Sequence, residues 1–285
     1  MSTVREVEIG GHGIKPLRIG GGRPLAWIAG PCVIEDRATM AATAEALKEL
    51  SLRLSIPVIF KSSFEKDNRS SEEYYSGPGI DEGLKTLAWI RSEFELPVLS
   101  DVHRVEDLPS AREVLDVIQI PAFLSRQTSL LVAAAKTRCA VNVKKGQFLA
   151  PDEMRGVVGK LERAGCRRIL LTERGACFGY NQLVADMTAL PILQGTGYPV
   201  VFDAGHQVRR SGIPSSDPTG GAPEFIPTLV RAAVAAGANA VFLETHPDPS
   251  RALCDAASQF PLDQMEKLML EIRALGELVR EQGHA

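Results

Sequence analysis

A (β/α)8 barrel is the fold class this sequence predicts, and three observations predict it. Eight short apolar runs recur along the 285 residues, most are followed by a segment of helical character, and each ends at or beside a polar residue capable of chemistry. Repeated β-then-α units specify a parallel sheet with crossover helices, and a closed barrel of this kind carries its site at the C-terminal ends of the strands. Composition agrees: 45% hydrophobic and 24% charged residues is an ordinary globular balance. No linker, low-complexity tract or long sequence repeat divides the chain, so residues 1–285 read as one α/β domain.

The elements follow in order. Residues 4–9 and 14–19 are short alternating stretches around Gly10-Gly11-His12-Gly13, which predicts an N-terminal β-hairpin within residues 1–20, placed to close the bottom of the barrel. The first barrel strand spans about 24–30 and leads into Pro31-Cys32. A helix over 37–53 follows, with apolar residues at three- and four-residue spacing and Asp36 as its N-cap. The second strand, 56–61, ends at Lys61. The long polar loop SSFEKDNRSSEEYYSGPG comes next, and loops of that length are usually functional. A second helix starts near Asp81. The remaining strands fall near 97–101, 116–120, 140–144, 168–173, 199–203 and 239–244. They deliver Asp101 and His103, Gln119, Lys144, Arg174, His206 and Glu244 to one face. Two further loops, 209–224 and 245–261, follow the last two strands. The first is rich in Gly, Pro and Ser and reads as a mobile lid, the alternative being a tolerated surface insertion.

Several function classes are excluded at this level. A net charge of −3 argues against a general nucleic-acid or anionic-membrane surface. No apolar stretch reaches the roughly 18 residues that span a bilayer, and no apolar core follows the opening Met-Ser-Thr-Val-Arg-Glu to suggest a signal peptide. The cysteines, Cys32, Cys139, Cys166, Cys177 and Cys254, are odd in number and scattered, which suits reduced thiols in a cytoplasmic protein. Cys139 and Cys166 read as packing residues, Cys177 as a possible lining residue behind Arg174, and none has a base partner that would make it a nucleophile.

Two constellations carry chemistry. Lys61, Lys66, Arg69, Lys144 and Arg174 all follow predicted strands on the same face, and a barrel would gather them at one mouth as a cradle for a ligand bearing phosphate and carboxylate groups. Asn68-Arg69-Ser70-Ser71 adds short hydrogen-bonding side chains suited to a phosphate and sugar hydroxyls, although serines also serve simply as turn formers. Cys32, His206, Glu244 and Asp255 offer one sulfur, one nitrogen and two carboxylates, a mixed set suited to Zn2+, Fe2+ or Mn2+. Their spacing is not a compact metal motif. Cys32 reads equally as a small buried residue behind Pro31, His206 as an anchored supporting group and Asp255 as a helix cap; His246 is a competing ligand.

The segments Ile28-Ala29-Gly30-Pro31-Cys32, FKSSFEKDNRSS (60–71), GPGIDEGL (77–84), SDVH (100–103), DVIQIPAFLSRQT (116–128), NVKKGQF (142–148), TERGACFGYNQLVADM (172–187), FDAGH (202–206) and ETHPDPSRALCDAASQFPL (244–262) together resemble the 3-deoxy-D-manno-octulosonate 8-phosphate synthases. The resemblance runs from about residue 24 to the end. It implies a transferase that joins phosphoenolpyruvate to arabinose 5-phosphate for lipopolysaccharide biosynthesis. It further implies that Lys61, Lys66, Gln119, Lys144 and Arg174 bind phosphoenolpyruvate and that Asn68, Arg69 and Ser70 bind the pentose phosphate, with Asp101 and His103 in support. Arg126 would reach into a neighbouring subunit's site in a homotetramer. That family's metal-independent branch carries Asn at the position of Cys32, so Cys32, His206, Glu244 and Asp255 imply the metal-dependent branch, as does Asp255-Ala256-Ala257-Ser258. Cys254 and Asp67 depart from the pattern. The related 3-deoxy-D-arabino-heptulosonate 7-phosphate synthases, which use erythrose 4-phosphate, typically read Pro-Arg-Thr-Ser where this chain has Asn68-Arg69-Ser70-Ser71.

The chemistry expected from this resemblance is an aldol-type condensation. Its main requirement is to hold two anions in register, which supplies about 7–11 kcal/mol of a barrier. His206, Asp255, Lys144 and Lys66 are the residues expected to carry the reaction. Lys144 and Arg174 would stabilise charge on phosphate and carboxylate, while the metal orients the aldehyde and His206 or Asp255 shares in activating water. The alternatives are the heptulosonate synthase, a metal-dependent sugar-phosphate aldolase, and a silent barrel that senses a phosphorylated metabolite.

Overall fold

Eight parallel strands close into a barrel in the computed structural model, which describes residues 4–69, 71–177, 183–210, 212–214, 217 and 219–282. A short antiparallel hairpin, β1 (Val7–Ile9) and β2 (Leu17–Ile19), precedes it. The barrel strands are β3 (Ala26–Gly30), β4 (Val58–Lys61), β5 (Val98–Asp101), β6 (Val117–Ile120), β7 (Ala140–Lys144), β8 (Ile169–Glu173), β9 (Val200–Asp203) and β10 (Ala240–His246). Closure is complete because β10 pairs in parallel with both β9 and β3. A two-residue strand, β11 (Phe260–Pro261), extends the sheet beside the end of β10. The expected TIM-barrel order and strand boundaries are matched to within a few residues.

The helices between them are α1 (Arg37–Leu54), α2 (Ile80–Phe94), α3 (Leu108–Ala111), α4 (Thr128–Lys136), α5 (Met154–Arg163), α6 (Ala189–Gln194), α7 (Ala204–Gln207), α8 (Ile226–Ala235) and α9 (Met265–Glu281). α1 shows why the local sequence suffices for such an element. Its buried face is Met40, Ala44, Leu47, Leu50 and Leu54, the spacing that stacks side chains on one side of a helix. Asp36 caps it, accepting from the amides of Ala38 at 2.9 Å and Thr39 at 3.0 Å.

Every barrel strand is buried along its whole length. Helices outside and side chains inside leave no wet face, and the strands accordingly read as unbroken apolar runs. Where polar residues enter the interior they bond to one another. Thr172 donates to Asn142 at 2.7 Å, Asn142 to Gln119 at 2.8 Å, and Gln119 to Asp101 at 2.5 Å. This ladder crosses β8, β7, β6 and β5 in turn and satisfies groups that would be costly to bury alone.

The hairpin closes the N-terminal end of the barrel. Val7, Ile9 and Ile19 are buried in the main core, and the Arg5 amide donates to the Gly197 carbonyl at 2.9 Å. The Arg5 guanidinium donates to the Tyr198 hydroxyl at 2.8 Å, and that hydroxyl donates to Glu162 at 2.8 Å. Burial and the Glu162 carboxylate push the Tyr198 phenol up to about 12.

The opposite end carries the long loops. Gly30 ends β3 at φ 150°, where a Cβ would overlap the Lys61 carbonyl oxygen, so this turn tolerates only glycine. The loop after β4 folds back on itself, with the Lys66 amide donating to the Ser76 carbonyl at 2.7 Å and the Tyr75 hydroxyl to the Ile34 carbonyl at 2.8 Å. In the loop 209–224, Arg209 and Gly221 bridge antiparallel, and Gly221 lies so close to the Ala257 carbonyl that a side chain would collide with it. The described part of this loop is therefore a folded excursion clamped to the segment after β10.

Candidate active site

A cavity of about 460 Å3 opens at the C-terminal end of the barrel. Lys66, Arg69, Lys144, Arg174 and Arg209 line it together with His103, His206, Asn68 and the two carboxylates of Asp101 and Asp255. Gly212, Ile213 and Pro214 place the loop 209–224 in its wall. Five fixed cations against two carboxylates make it a trap for anions.

Asp203, at the end of β9, organises one side. Its carboxylate accepts from Lys144 Nζ at 2.8 Å and contacts His206 Nδ1 at 2.8 Å, and it also accepts from the His206 amide at 3.1 Å. It is fully buried. Burial raises its pKa, but the charges of His206 and Lys144 outweigh burial and hold it well below the carboxylate range. With Nδ1 engaged, His206 turns Nε2 toward Asp255 at 3.7 Å and Glu244 at 4.0 Å. A carboxylate holding the far nitrogen of a histidine is the usual way proteins aim an imidazole at a metal. The Lys144 ammonium also lies 3.9 Å from the Phe242 ring centroid, a cation–π contact.

Glu244 organises the other side. Lys61 donates to it at 2.6 Å and to the Cys32 carbonyl at 2.8 Å, and both charged side chains are almost completely buried. Burial raises the Glu244 pKa, and Lys61, His206 and Lys66 together bring it far below the ordinary value. Lys66 stands 3.8 Å from Glu244 and 3.9 Å from Asp101. Burial opposes its charge, and the neighbouring Cys32, Glu244 and Asp101 more than restore it. Arg209 holds Asp255 at 2.9 Å.

Two overlapping groups could hold a metal ion: Cys32, Cys254 and Asp255, and His206, Glu244 and Asp255, with Asp255 common to both. The donors are of the right kinds, with Cys32 Sγ 3.4 Å from Asp255 Oδ2. Separations of 3.4–4.0 Å between donors suit a small ion bound at about 2.0–2.3 Å from each. The donor set thus fits a divalent first-row ion.

The expected residues fall into three positions. Lys66, Asn68, Arg69, Asp101, His103, Lys144, Arg174, His206 and Asp255 line the cavity. Lys61, Cys32, Gln119 and Glu244 lie in the buried layer beneath it, where Lys61 holds Glu244 and Gln119 holds Asp101. Arg126 is exposed on the segment after β6. Ser70 lies outside the described residues. His246 is turned away, its Nδ1 accepting from the Asp248 amide and its Nε2 3.3 Å from Glu35. Asp67 pairs with Arg104 at 3.4 Å, so its charge is answered outside the cavity. Cys177 is part of the cavity wall.

Sequence reasoning passed over Asp203, Arg209 and Cys254 as parts of the site. Asp203 ends an apolar run just as the recognised residues do, and that signal could have found it. Cys254 and Arg209 lie in loops, where no periodicity marks them. Arg174 shows what the cavity offers a ligand: its Nε has no hydrogen-bond partner among the described residues. Burial lowers the Arg174 pKa, against the opposing pull of Asp203 and Asp255.

A closed parallel barrel with a cationic, metal-competent cavity at its C-terminal mouth defines a class: barrel enzymes acting on small phosphorylated substrates. Comparison with known proteins narrows it. The model of the DAHP synthetase I family matches residues 6–281. A 2-dehydro-3-deoxyphosphooctonate aldolase of Geobacter metallireducens is 51% identical over 276 residues, covering 97% of this chain and 99% of the relative. Proteins of the same description from Trichlorobacter lovleyi and Desulfosudis oleivorans are each 51% identical, covering 97% and 95% of this chain and 99% and 98% of theirs. The chain belongs to the DAHP synthetase I family and, within it, groups with the 2-dehydro-3-deoxyphosphooctonate aldolases.

Proposed function

We propose that this barrel is a 3-deoxy-8-phosphooctulonate synthase whose reaction depends on a divalent metal ion. The enzyme condenses phosphoenolpyruvate with arabinose 5-phosphate and water, releasing inorganic phosphate and an eight-carbon keto-sugar acid for lipopolysaccharide biosynthesis. The observation that carries the metal is that Asp255 joins two donor groups, Cys32 with Cys254 on one side and His206 with Glu244 on the other, with His206 already aimed by Asp203. Among these, Cys32 is the residue that supports reading the protein as one of the metal-dependent branch.

Lys66, Lys144 and Arg174 hold the phosphate and carboxylate of phosphoenolpyruvate, while Lys61 and Gln119 act from beneath by fixing Glu244 and Asp101. Asn68, Arg69 and Ser70 take the pentose phosphate from the loop after β4. When bound, the metal supplies Lewis-acid polarisation of an oxygen on the acceptor sugar. His206 and Asp255 both face the cavity; with both nitrogens of His206 committed, to Asp203 and to the metal set, Asp255 with its second carboxylate oxygen is the group able to hold or move a proton of the attacking water. Lys144, paired with Asp203, keeps its ammonium in place to balance phosphate charge as the carbon–oxygen bond breaks. Arg126 completes the site of an adjacent subunit in a homotetramer.

Phosphate release from phosphoenolpyruvate with arabinose 5-phosphate, measured before and after chelation, tests both statements. Activity should fall at least about 100-fold on removal of the metal and return with Zn2+, Fe2+ or Mn2+. Full activity in verified metal-free protein keeps the synthase and removes the ion. Turnover with erythrose 4-phosphate instead overturns the substrate.

A further inference from the structure

Cys32 and Cys254 come together where the segment after β3 meets the segment after β10. Their Sγ atoms lie 2.8 Å apart although 222 positions separate the two residues in the chain. Both are buried, and with Val33 they form a small apolar cluster of their own, apart from the main core. Less than an ångström of movement separates this contact from a sulfur–sulfur bond of about 2.05 Å. Among the described residues no other two cysteine sulfurs meet. Cys139 and Cys166 each rest on backbone carbonyls, at 3.2 Å from Leu115 and 3.6 Å from Arg168.

The pair is asymmetric. Cys254 belongs to the cavity wall, while Cys32 is enclosed behind it. A small oxidant dissolved in the cavity therefore meets Cys254 first, and Cys32 stands in position to resolve what forms there. Cys32 is also one of the proposed metal donors, and a sulfur tied into a disulfide no longer offers a thiolate.

We propose that Cys32 and Cys254 are a peroxide-sensitive thiol pair whose closure to a disulfide takes Cys32 out of the metal set. Hydrogen peroxide oxidises the Cys254 thiol to a sulfenic acid and leaves as one water. The Cys32 sulfur then attacks the Cys254 sulfur, the sulfur–oxygen bond breaks, and hydroxide departs with the Cys32 proton as a second water. Each sulfur gives up one electron, and the two peroxide oxygens receive them. Formation of the bond needs only the geometry of the pair; its consequence rests on the reading of Cys32 as a metal donor. Metal and disulfide then exclude each other, so a loaded site is protected and an empty one is closed by oxidant.

The experiment exposes metal-free full-length protein to hydrogen peroxide and compares it with the same protein reloaded with zinc, which peroxide does not oxidise. Three results are expected in the metal-free sample: a mass loss of about 2 Da, a fall from five titratable thiols to three, and a cross-linked peptide joining Cys32 to Cys254. A thiol reductant should restore both thiols and zinc uptake together. Zinc at a hundredfold excess over its Kd should slow cross-linking by roughly 100-fold. Cys254→Ser should lose the mass change and still fold, as judged by its melting curve. Oxidation to sulfinic or sulfonic acids without the cross-link, or a cross-link between other cysteines, overturns the pair. A Cys32–Cys254 cross-link that forms equally fast with zinc present overturns its coupling to the metal, and with it the reading of Cys32 as a donor, while the synthase assignment stands on its own assay.

Discussion

Lys61 and Asp116 show how burial decides what a single charged residue does. Lys61 and Glu244 are a fully enclosed ion pair at 2.6 Å, and removing one partner of such a pair leaves the other charge without compensation. Lys61→Met should therefore destabilise the fold by about 3–5 kcal/mol, measured by denaturant unfolding. Adding Glu244→Gln to the same chain should recover most of that loss. A single variant as stable as the parent would place Glu244 with another cation. Asp116 is the opposite case. Its Oδ2 accepts from the Val98 amide at 2.9 Å, while Oδ1 is buried with no partner among the described residues. Burial raises its pKa, and the Val98 amide offsets this only in part. A raised carboxyl pKa means that the folded state takes up a proton between the ordinary and the raised value, so stability falls as pH rises through that window. Asp116→Asn should then gain about 1 kcal/mol near neutral pH, the scale of one unpaired buried group. The gain should vanish as pH drops below the ordinary carboxylate range. Melting temperatures across pH measure this, and a parent more stable than the variant at neutral pH refutes it.

At the scale of the element, each β/α unit divides its labour between a buried strand and the loop that follows. Lys144 and Asp203 are held rigidly at strand ends, while Asn68, Arg69 and Arg209 reach the cavity from loops. Apart from α7, which carries His206 into the cavity, the helices contribute stability away from the site, and α1 tests that separation. Asp36 caps its first turn through two amides and also accepts from the Thr39 hydroxyl at 2.8 Å. Asp36→Ala should lower stability by about 1 kcal/mol and leave kcat and KM unchanged, as thermal melts and steady-state kinetics on one preparation would establish. A changed KM would mean that α1 transmits strain to the loop carrying Cys32.

The whole molecule places the site at one end and the hairpin at the other, so that covering the bottom of the barrel does not obstruct the mouth. No helix among the described residues is long and apolar enough to cross a membrane. Arg126 is exposed a few residues after the cavity residues Pro121, Ala122 and Phe123, and in the proposed homotetramer it would serve a neighbouring copy. Arg126→Ala and Lys144→Ala should each be nearly inactive alone. Mixed, unfolded and refolded together, they should regain activity at about one quarter of the sites, since random assembly of two subunit types pairs an intact Lys144 with a neighbour's intact Arg126 that often. A mixture no more active than its components, in a verified tetramer, would confine Arg126 to its own chain.

Much of this was legible before any coordinates. Strand and helix positions follow from local periodicity, and a residue such as Lys144 or His206 announces itself by ending an apolar run. Asp36 was readable as a cap for the same reason: its partners are two and three residues away. Cys254 and Arg209 were not readable, because irregular loops have no period and their partners lie far off in the chain. Lys61 illustrates both sides. Its strand-end position was plain, yet its assignment to the layer beneath the cavity depends on Glu244, 183 residues later. The sequence by itself determined the barrel, the face that bears the chemistry and the residue types available there, since those depend on short-range pattern and on which side chains avoid water. Only the tertiary structure decided which of those residues meet: Lys61 with Glu244, Asp203 with both Lys144 and His206, Cys32 with Cys254. Barrel closure brings β10 against β3, and hydrogen bonds and desolvation act through distances of a few ångströms that sequence separation does not encode.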